Sequence, residues 1–190
     1  TSNPLDGPRR PGSVGKALPG VEVRLGPADP AKPDPDSVVG MVEVRGPSVF
    51  DGYWGRPPDP SDRTAPTHPG EAAWFRTGDL GRWDDDGYLF LVGRSKDLII
   101  SGGLNVYPAE VEAVLERHPS VVEVAVIGLP DDEWGQVVAA IVVPSAAHRP
   151  RDALGDELVE AARSELSAYK IPRRLHWTDA LPRNAMGKVD

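Results

Sequence analysis

Residues 93–112, which read GRSKDLIISGGLNVYPAEVE, place the tightest constraint on how this chain can fold. Residues 98–100 predict a short buried strand, and the glycine pair after Ser101 predicts a turn at which the backbone can approach a ligand closely. Pro108 suits the first position of a helix, because the N–H that proline lacks would have no partner inside the helix. The segment therefore predicts a strand, a turn and a helix in succession.

The same segment separates two halves that have different patterns of apolar residues. Before it, alternating strands are separated by loops rich in proline. After it, amphipathic helices alternate with runs of β-branched residues, so that strands are predicted at 121–127, 137–143 and 174–177 and helices from 108 and at about 152–169. We expect an α+β chain with a boundary near Lys96, a β-rich domain over residues 1–95, and a small domain over residues 96–190 with a short sheet flanked by helices.

The composition excludes several classes of function. The chain has 190 residues, with 21 Lys and Arg against 29 Asp and Glu, so its formal net charge is −8. This charge argues against nucleic acid or an anionic membrane as the main partner. The absence of cysteine excludes disulfides, thiolate metal sites and a cysteine nucleophile. With no apolar run of membrane-spanning length and no leader pattern, the sequence predicts a cytoplasmic protein.

Three short patterns suggest sites that the spacing does not support. Gly15 and Lys16 would need a glycine in place of Arg10 and a serine or threonine in place of Ala17 to form a phosphate-binding loop. Residues 84–87, Asp-Asp-Asp-Gly, suit a hairpin turn better than an incomplete calcium loop. No ligand-like spacing relates the four histidines, so we predict no metal site at His68, His118, His148 and His176.

Three motifs carry a resemblance to a known family. Residues 93–112 match the pattern G-R-x-K-D-x-I-x-x-G-G-x-N-x-Y-P-x-E-V-E with every spacing kept, residues 76–79 read R-T-G-D, and residues 182–188 match P-R-x-x-x-G-K. The chain thereby resembles the adenylate-forming acyl-activating enzymes, which include acyl-CoA synthetases, adenylation domains and luciferases. Residues 40–57 are similar to a structural element of the same family.

The resemblance implies a fold and a reaction. Residues 1–95 would be the end of the large N-terminal domain, part of a distorted barrel, and residues 96–190 would be the small mobile C-terminal domain. A carboxylic acid and ATP would give an acyl-adenylate and pyrophosphate, and the thiol of coenzyme A would then displace AMP. The Mg²⁺ ligand would lie outside this chain.

The resemblance also implies roles for individual residues. Asp79 would accept hydrogen bonds from the ribose hydroxyls of the nucleotide, a task that suits the two oxygens of a carboxylate, and the guanidinium of Arg94 would bridge ribose and phosphate. Lys188 would stabilise the acid carboxylate and the α-phosphate as the first step proceeds. Rotation about Lys96 would withdraw Lys188 and bring the pantetheine tunnel to the site, lined by Ser101, Gly102, Gly103 and Leu104.

The flanking segments suggest a substrate. Residues 1–25 and the sequence LPRNAMGKV are most similar to malonyl-CoA synthetases, which implies malonate or methylmalonate as the acid. Family members are usually much longer than this chain, so we expect it to be a piece that is inactive alone. Two alternatives stay open: an adenylation domain that loads a carrier protein, and a non-catalytic nucleotide-binding or interaction module.

Overall fold

The chain divides after Lys96 into two units, Thr1–Lys96 and Asp97–Asp190. The structure is a computed structural model that describes residues 1–28, 38–50, 52, 54–55, 57, 62–64, 72–145 and 151–189, with the backbone only at 64, 151 and 152. Most of the predicted loops at 28–37 and 57–73 lie outside the described residues. The assignment of the two units to parts of a larger enzyme remains a prediction.

The first unit is built on one antiparallel sheet. Its strand order is β1-β6-β5-β3-β2, with the short β4 paired to β5. The ladder begins at β1 and ends at β2 without returning, so the described strands form an open sheet rather than a closed barrel. The strands are β1 Ser13–Gly15, β2 Glu22–Gly26, β3 Gly40–Arg45, β4 Arg63–Thr64, β5 Trp74–Trp83 and β6 Leu89–Arg94.

A buried carboxylate lies among the apolar side chains of this sheet. Glu43 of β3 is 2% exposed, and its two oxygens accept hydrogen bonds from Arg24 Nε at 2.7 Å and from Arg76 Nε at 3.3 Å. Arg24 and Arg45 each lie over the ring of Trp74, at 4.3 and 4.5 Å from its centroid. Because a buried charge needs partners to offset its lost hydration, the guanidiniums allow Glu43 to occupy the core.

The second unit combines a sheet with two helices. Strand β10 is paired along its whole length with β9. Its other edge pairs with the parallel β11 and, through Gly135, with Ser101 at the end of β7, which forms a hairpin with β8. The elements are β7 Ile99–Ser101, β8 Leu104–Val106, α1 Pro108–Leu115, β9 Val121–Asp131, β10 Gly135–Pro144, α2 Arg151–Glu165 and β11 Arg174–Trp177.

The helices of the second unit cover its sheet through narrow apolar stripes. Helix α1 begins with proline at its first position and buries Val111, Val114 and Leu115. Leu154, Leu158 and Ala162 line one side of α2 at a spacing of one helical turn, and they join the same core as the strand residues Val126, Val138, Ala140 and Val142. The predicted α+β class is confirmed. Within the described ranges, no helix is long and apolar enough to cross a membrane.

Replacement of Glu43 by alanine should destabilise the first unit. The change leaves two guanidiniums facing a small cavity, and removal of one partner of a buried pair costs about 3 kcal/mol or more. Hydrogen exchange of the β3 and β5 amides measures this loss in the full chain. Glu22→Ala is the matched control, because Glu22 is 60% exposed and solvent screens its ion pair with Arg45. Equal costs for the two variants would contradict the role given to Glu43.

Candidate functional site

Asp79 and Arg94 lie opposite each other on neighbouring strands. Asp79 of β5 and Arg94 of β6 are partners in the antiparallel register. Their side chains form an ion pair, Arg94 Nε to Asp79 Oδ1 at 2.9 Å, and both remain accessible, at 57% and 25% exposure. The structure thus brings together the two residues that the sequence assigns to nucleotide binding. A paired carboxylate and guanidinium at a sheet surface can accept from hydroxyls and donate to phosphate oxygens.

The strand that carries Asp79 departs from regular pairing just before it. On β3, a single residue separates the partners Met41 and Glu43, whereas three residues separate their partners Leu80 and Arg76 on β5. The extra residues form a bulge, and Gly78 within it has a φ of +77°, in the region that favours glycine. Asp79 therefore projects from an irregularity and not from a uniform ladder.

The hydroxyl of Thr77 holds this bulge. Thr77 Oγ1 donates to the carbonyl oxygen of Val42 at 3.0 Å and accepts from the backbone N–H of Asp79 at 3.1 Å. Arg94 Nη1 also donates to the Thr77 carbonyl at 3.4 Å. The sequence reasoning assigned no task to Thr77, although it lies inside the R-T-G-D tetrad.

The glycine turn of the second unit exposes its backbone. Gly102 and Gly103 are exposed and have φ values of +59° and +82°, Leu104 is 49% exposed, and Ser101 is only 2% exposed. The turn thus presents the two glycines and Leu104, while Ser101 anchors it in the interior. The turn belongs to the β7–β8 hairpin, with Ser101 paired to Leu104.

The loop between β9 and β10, together with Gln136 of β10, supports the glycine turn. Gly102 N–H donates to the carbonyl of Trp134 at 2.9 Å, and Ile100 N–H donates to Gln136 Oε1 at 2.8 Å. A Cβ placed on Gly102 would lie 2.8 Å from Trp134 Cε3, whereas one on Gly103 would meet nothing within 4 Å. The sequence reasoning missed Trp134 and Gln136, because their contacts with the turn join positions more than 30 residues apart.

The loop that carries Lys188 is a tight turn held by its own side chains. Asn184 Oδ1 accepts from the N–H groups of Met186, at 2.9 Å, and Lys188, at 3.2 Å, and Asn184 N–H donates to the Lys188 carbonyl at 2.8 Å. Arg183 Nη1 donates to the Gly187 carbonyl at 2.9 Å, and Arg183 also pairs with Glu123 of β9. The Lys188 side chain lies on the exposed surface of this turn.

The glycine turn and the Lys188 loop lie at opposite ends of one hairpin. Gly135, which pairs with Ser101, is the first residue of β10, where the hairpin closes. Glu123, which binds Arg183, pairs with Val143, eight residues further along β10. A strand rises about 3.4 Å per residue in an antiparallel ladder, so about 27 Å of paired strand separates the two attachment points.

Lys96 lies at the division between the units. It is the exposed middle residue of a 3₁₀ turn, Ser95–Asp97, and the last residue of the first unit. Asp79 and Arg94 belong to the first unit, and Lys188 and the glycine turn belong to the second. Among the residues that the structure describes, no group of three or more His, Asp or Glu side chains could hold a metal ion.

Glu112 connects helix α1 to the sheet of the second unit. Its Oε1 accepts from Val126 N–H at 2.8 Å. Burial raises the pKa of Glu112, because the charged form loses hydration, and the carboxylates of Glu116 and Asp97 add to this rise against the opposing hydrogen bond from Val126. The ionised carboxylate is therefore a cost to the folded unit.

Glu112→Gln should remove a pH-dependent loss of stability. A raised folded-state pKa gives stability that is fully present below the ordinary glutamate pKa of about 4.5 and is lost as the pH rises through the folded value. Glutamine keeps an acceptor for Val126 N–H without the charge, so the variant should gain stability over the natural chain as pH rises from 4 to 8. Hydrogen exchange of the β10 amides across this range measures the gain. The same substitution at Glu160, which is 75% exposed on α2, is the control, and an equal gain there would contradict the assignment.

Gly102→Ala should destabilise the second unit more than Gly103→Ala. Both substitutions place a Cβ at positive φ, which costs about 1–2 kcal/mol. Only the first also forces the Cβ against Trp134, an overlap that costs about 1–3 kcal/mol more. Urea unfolding of the two variants gives the difference. Trp134→Ala in the Gly102→Ala background should reduce the difference, and equal costs for the two glycines would show that the tryptophan does not constrain the turn.

The chain is similar to a part of several longer CoA ligases. Residues 110–188 match the family model for the AMP-binding enzyme C-terminal domain. Indoleacetate–CoA ligase of Aromatoleum aromaticum is 41% identical over 186 residues, which cover 98% of this chain and 34% of the relative. Malonate–CoA ligase of Arabidopsis thaliana is 40% identical over 199 aligned residues, which cover 100% of this chain and 31% of the relative.

The chain is also similar to a solved structure over its whole length. The crystal structure of ATP-bound MatB from Rhodopseudomonas palustris superimposes with a TM-score of 0.83 at 42% sequence identity, and the match covers 100% of this chain and 36% of that chain. The chain spans about a third of the length of the relatives it matches.

Proposed function

The chain belongs to the adenylate-forming superfamily, as a C-terminal portion of such an enzyme, and we propose that the whole protein is an ATP-dependent acyl-CoA synthetase. Its carboxylic acid substrate attacks the α-phosphorus of ATP, the bond to pyrophosphate breaks, and an acyl-adenylate forms. The thiol of coenzyme A then attacks the acyl carbon, the bond to AMP breaks, and the acyl-CoA thioester forms. We expect the protein ligand for Mg²⁺ to lie in a part of the whole protein outside this chain, where the ion would neutralise charge on the phosphates of ATP.

The residues of the first unit serve to bind the nucleotide in this proposal. Asp79 accepts hydrogen bonds from the ribose hydroxyls, and Arg94, held beside it at 2.9 Å, contributes positive charge toward ribose and phosphate. The sheet register fixes both side chains before the nucleotide arrives. Such preorganisation lowers the cost of ordering the site on binding.

The residues of the second unit serve one step each. The ammonium of Lys188 stabilises the negative charge that gathers on the acid carboxylate and the α-phosphate during adenylation. The glycine turn, Ser101 to Leu104, lines the path of the pantetheine thiol during thioester formation, because backbone without a Cβ leaves room for it. Lys96 is the pivot that exchanges the two.

The observation that carries the proposal is the separation of these two segments along the β9–β10 hairpin. The Lys188 loop is attached at Glu123 and the glycine turn at Gly135, about 27 Å of strand apart. We infer that two segments attached so far apart on one hairpin reach a shared cleft in turn and not together. This arrangement favours an enzyme that presents them in turn, and it gives no role to a module that merely binds nucleotide.

We propose malonate or methylmalonate as the acid. The support is the similarity of residues 1–25 and of the final loop to malonyl-CoA synthetases, together with the malonate–CoA ligase of Arabidopsis thaliana among the relatives. Overall identity does not choose the acid, because a ligase for indoleacetate is equally similar at 41%. ATP–pyrophosphate exchange by the whole protein with malonate, methylmalonate, acetate and indoleacetate measures the preference, and a higher rate with either of the last two would overturn it.

Lys188→Ala should separate the two half-reactions of the whole protein. Loss of a positioned charge in adenylation costs about 100- to 1,000-fold in rate, so malonate-dependent ATP–pyrophosphate exchange should fall by at least that range. Thioester formation from supplied malonyl-adenylate should stay within a few fold of the natural protein, because Lys188 is then withdrawn. Lys16→Ala is the control for loss of an exposed lysine. If both half-reactions fall by the same factor, the assignment of Lys188 to adenylation is wrong.

A further inference from the structure

The regular backbone pairing between β3 and β5 is interrupted at the bulge before Asp79. A side-chain hydrogen bond links the two strands there instead. The Thr77 hydroxyl lies between the Val42 carbonyl, 3.0 Å away, and the Asp79 N–H, 3.1 Å away. A carbonyl only accepts and an N–H only donates, so the direction of both hydrogen bonds is fixed. One hydroxyl thereby joins β3 to the residue that carries the proposed ribose ligand.

We propose that Thr77 is a positioning residue for nucleotide binding, whose hydroxyl fixes the Asp79 carboxylate in the orientation that receives the ribose hydroxyls. This inference rests on the proposed function of Asp79. It concerns a residue that acts through another, since the Thr77 hydroxyl is already occupied by two backbone groups.

The segment is fixed firmly on both sides of the bulge. Before it, Arg76 is held by the buried carboxylate of Glu43 through the 3.3 Å contact. After it, Asp79 is held by Arg94 at 2.9 Å. Between these points lies Gly78, which has a φ of +77° and no side chain to limit its motion. The hydrogen bonds of the Thr77 hydroxyl therefore restrict the backbone next to its most flexible residue, Gly78.

The orientation of the carboxylate depends on the backbone that carries it. Asp79 Oδ1 faces Arg94, and the same guanidinium donates to the Thr77 carbonyl at 3.4 Å. If the hydroxyl is removed, Asp79 N–H and the Val42 carbonyl each lose the hydrogen bond that it provides, and the bulge can rearrange in response. A displacement of about 1 Å in a positioning group can cost on the order of 100-fold in function. Such a rearrangement would therefore weaken the hydrogen bonds between Asp79 and the ribose hydroxyls.

The test measures ribose recognition in the whole protein. The readout is the ratio of affinities for ATP and for 2′,3′-dideoxy-ATP, which lacks both hydroxyls. Hydrogen bonds to a charged group contribute enough for a ratio of about 10- to 100-fold in the natural protein. Thr77→Val keeps the shape without the hydroxyl and should lower this ratio by about 5- to 10-fold, the cost of roughly one neutral hydrogen bond. Thr77→Ser keeps the hydroxyl and should restore the ratio.

Two controls make the outcome decisive. Asp79→Asn should lower the ratio, and if it does not, the proposed role of Asp79 fails and the inference fails with it. If Asp79→Asn lowers the ratio and Thr77→Val leaves it unchanged, or weakens both nucleotides equally, the positioning role alone is overturned. Thr178→Val, which removes a threonine hydroxyl from the second unit, should leave the ratio unchanged, and a fall there would overturn the reading of the Thr77 result. Should Thr77→Val fail to fold, the smaller Thr77→Ala is judged by the same ratio.

Discussion

Strand β10 is the constraint on which the second unit depends, because it is paired on both edges. Residues 139–142 bind β9 on one side and β11 on the other, and the first residue binds β7. Four consecutive residues, 137–140, are buried, as is Val142. Backbone groups that are paired and covered on both faces are shielded from water, which makes such a stretch of strand the least mobile part of a domain. Each functional segment of the unit is attached to this strand or to its partner.

In the first unit, ion pairs as well as apolar contacts hold the strands of the sheet together. Glu43 lies in the interior with two guanidiniums, and Asp79 lies at the surface with one. The two carboxylates sit on adjacent strands on either side of the Thr77 bulge. The interior group holds the strand, and the partly exposed one remains accessible to a ligand. The difference follows from burial, since exposure lets Asp79 exchange its partners with little loss of hydration.

Several elements were predictable because their signals are local. The β-branched runs at 121–127 and 137–143 fall within β9 and β10, and the helix that starts at Pro108 is present. Strand β5 was missed, since Trp74–Trp83 mixes Gly, Asp, Arg and Thr with its apolar residues and shows no clear alternation. Helix α2 ends at Glu165, before the predicted 169, and a separate 3₁₀ turn, Ala168–Lys170, follows. The proximity of Asp79 and Arg94 follows from the strand register, which propensity alone does not supply.

The supporting residues were less accessible to sequence reasoning than the proposed nucleotide-binding residues. Thr77 and Trp134 act through backbone groups of distant positions, and the chain spacing between such partners has no fixed value. Threonine in a strand and tryptophan in a loop are also ordinary residues there. The tetrad around Thr77 offered a signal, but only the bulge explains why a hydroxyl belongs at that position.

The length of the β9–β10 hairpin also determines the distance between the attachment point of the Lys188 loop and the glycine turn. Side chains alternate along a strand, so two residues added to each strand would preserve which faces are buried and would move the Lys188 attachment point about 7 Å further from the glycine turn. One residue in each strand would reverse every face beyond it and expose the core. The spacing between the two attachment points can therefore change only by two residues per strand at a time. Smaller changes in this spacing would disrupt the core.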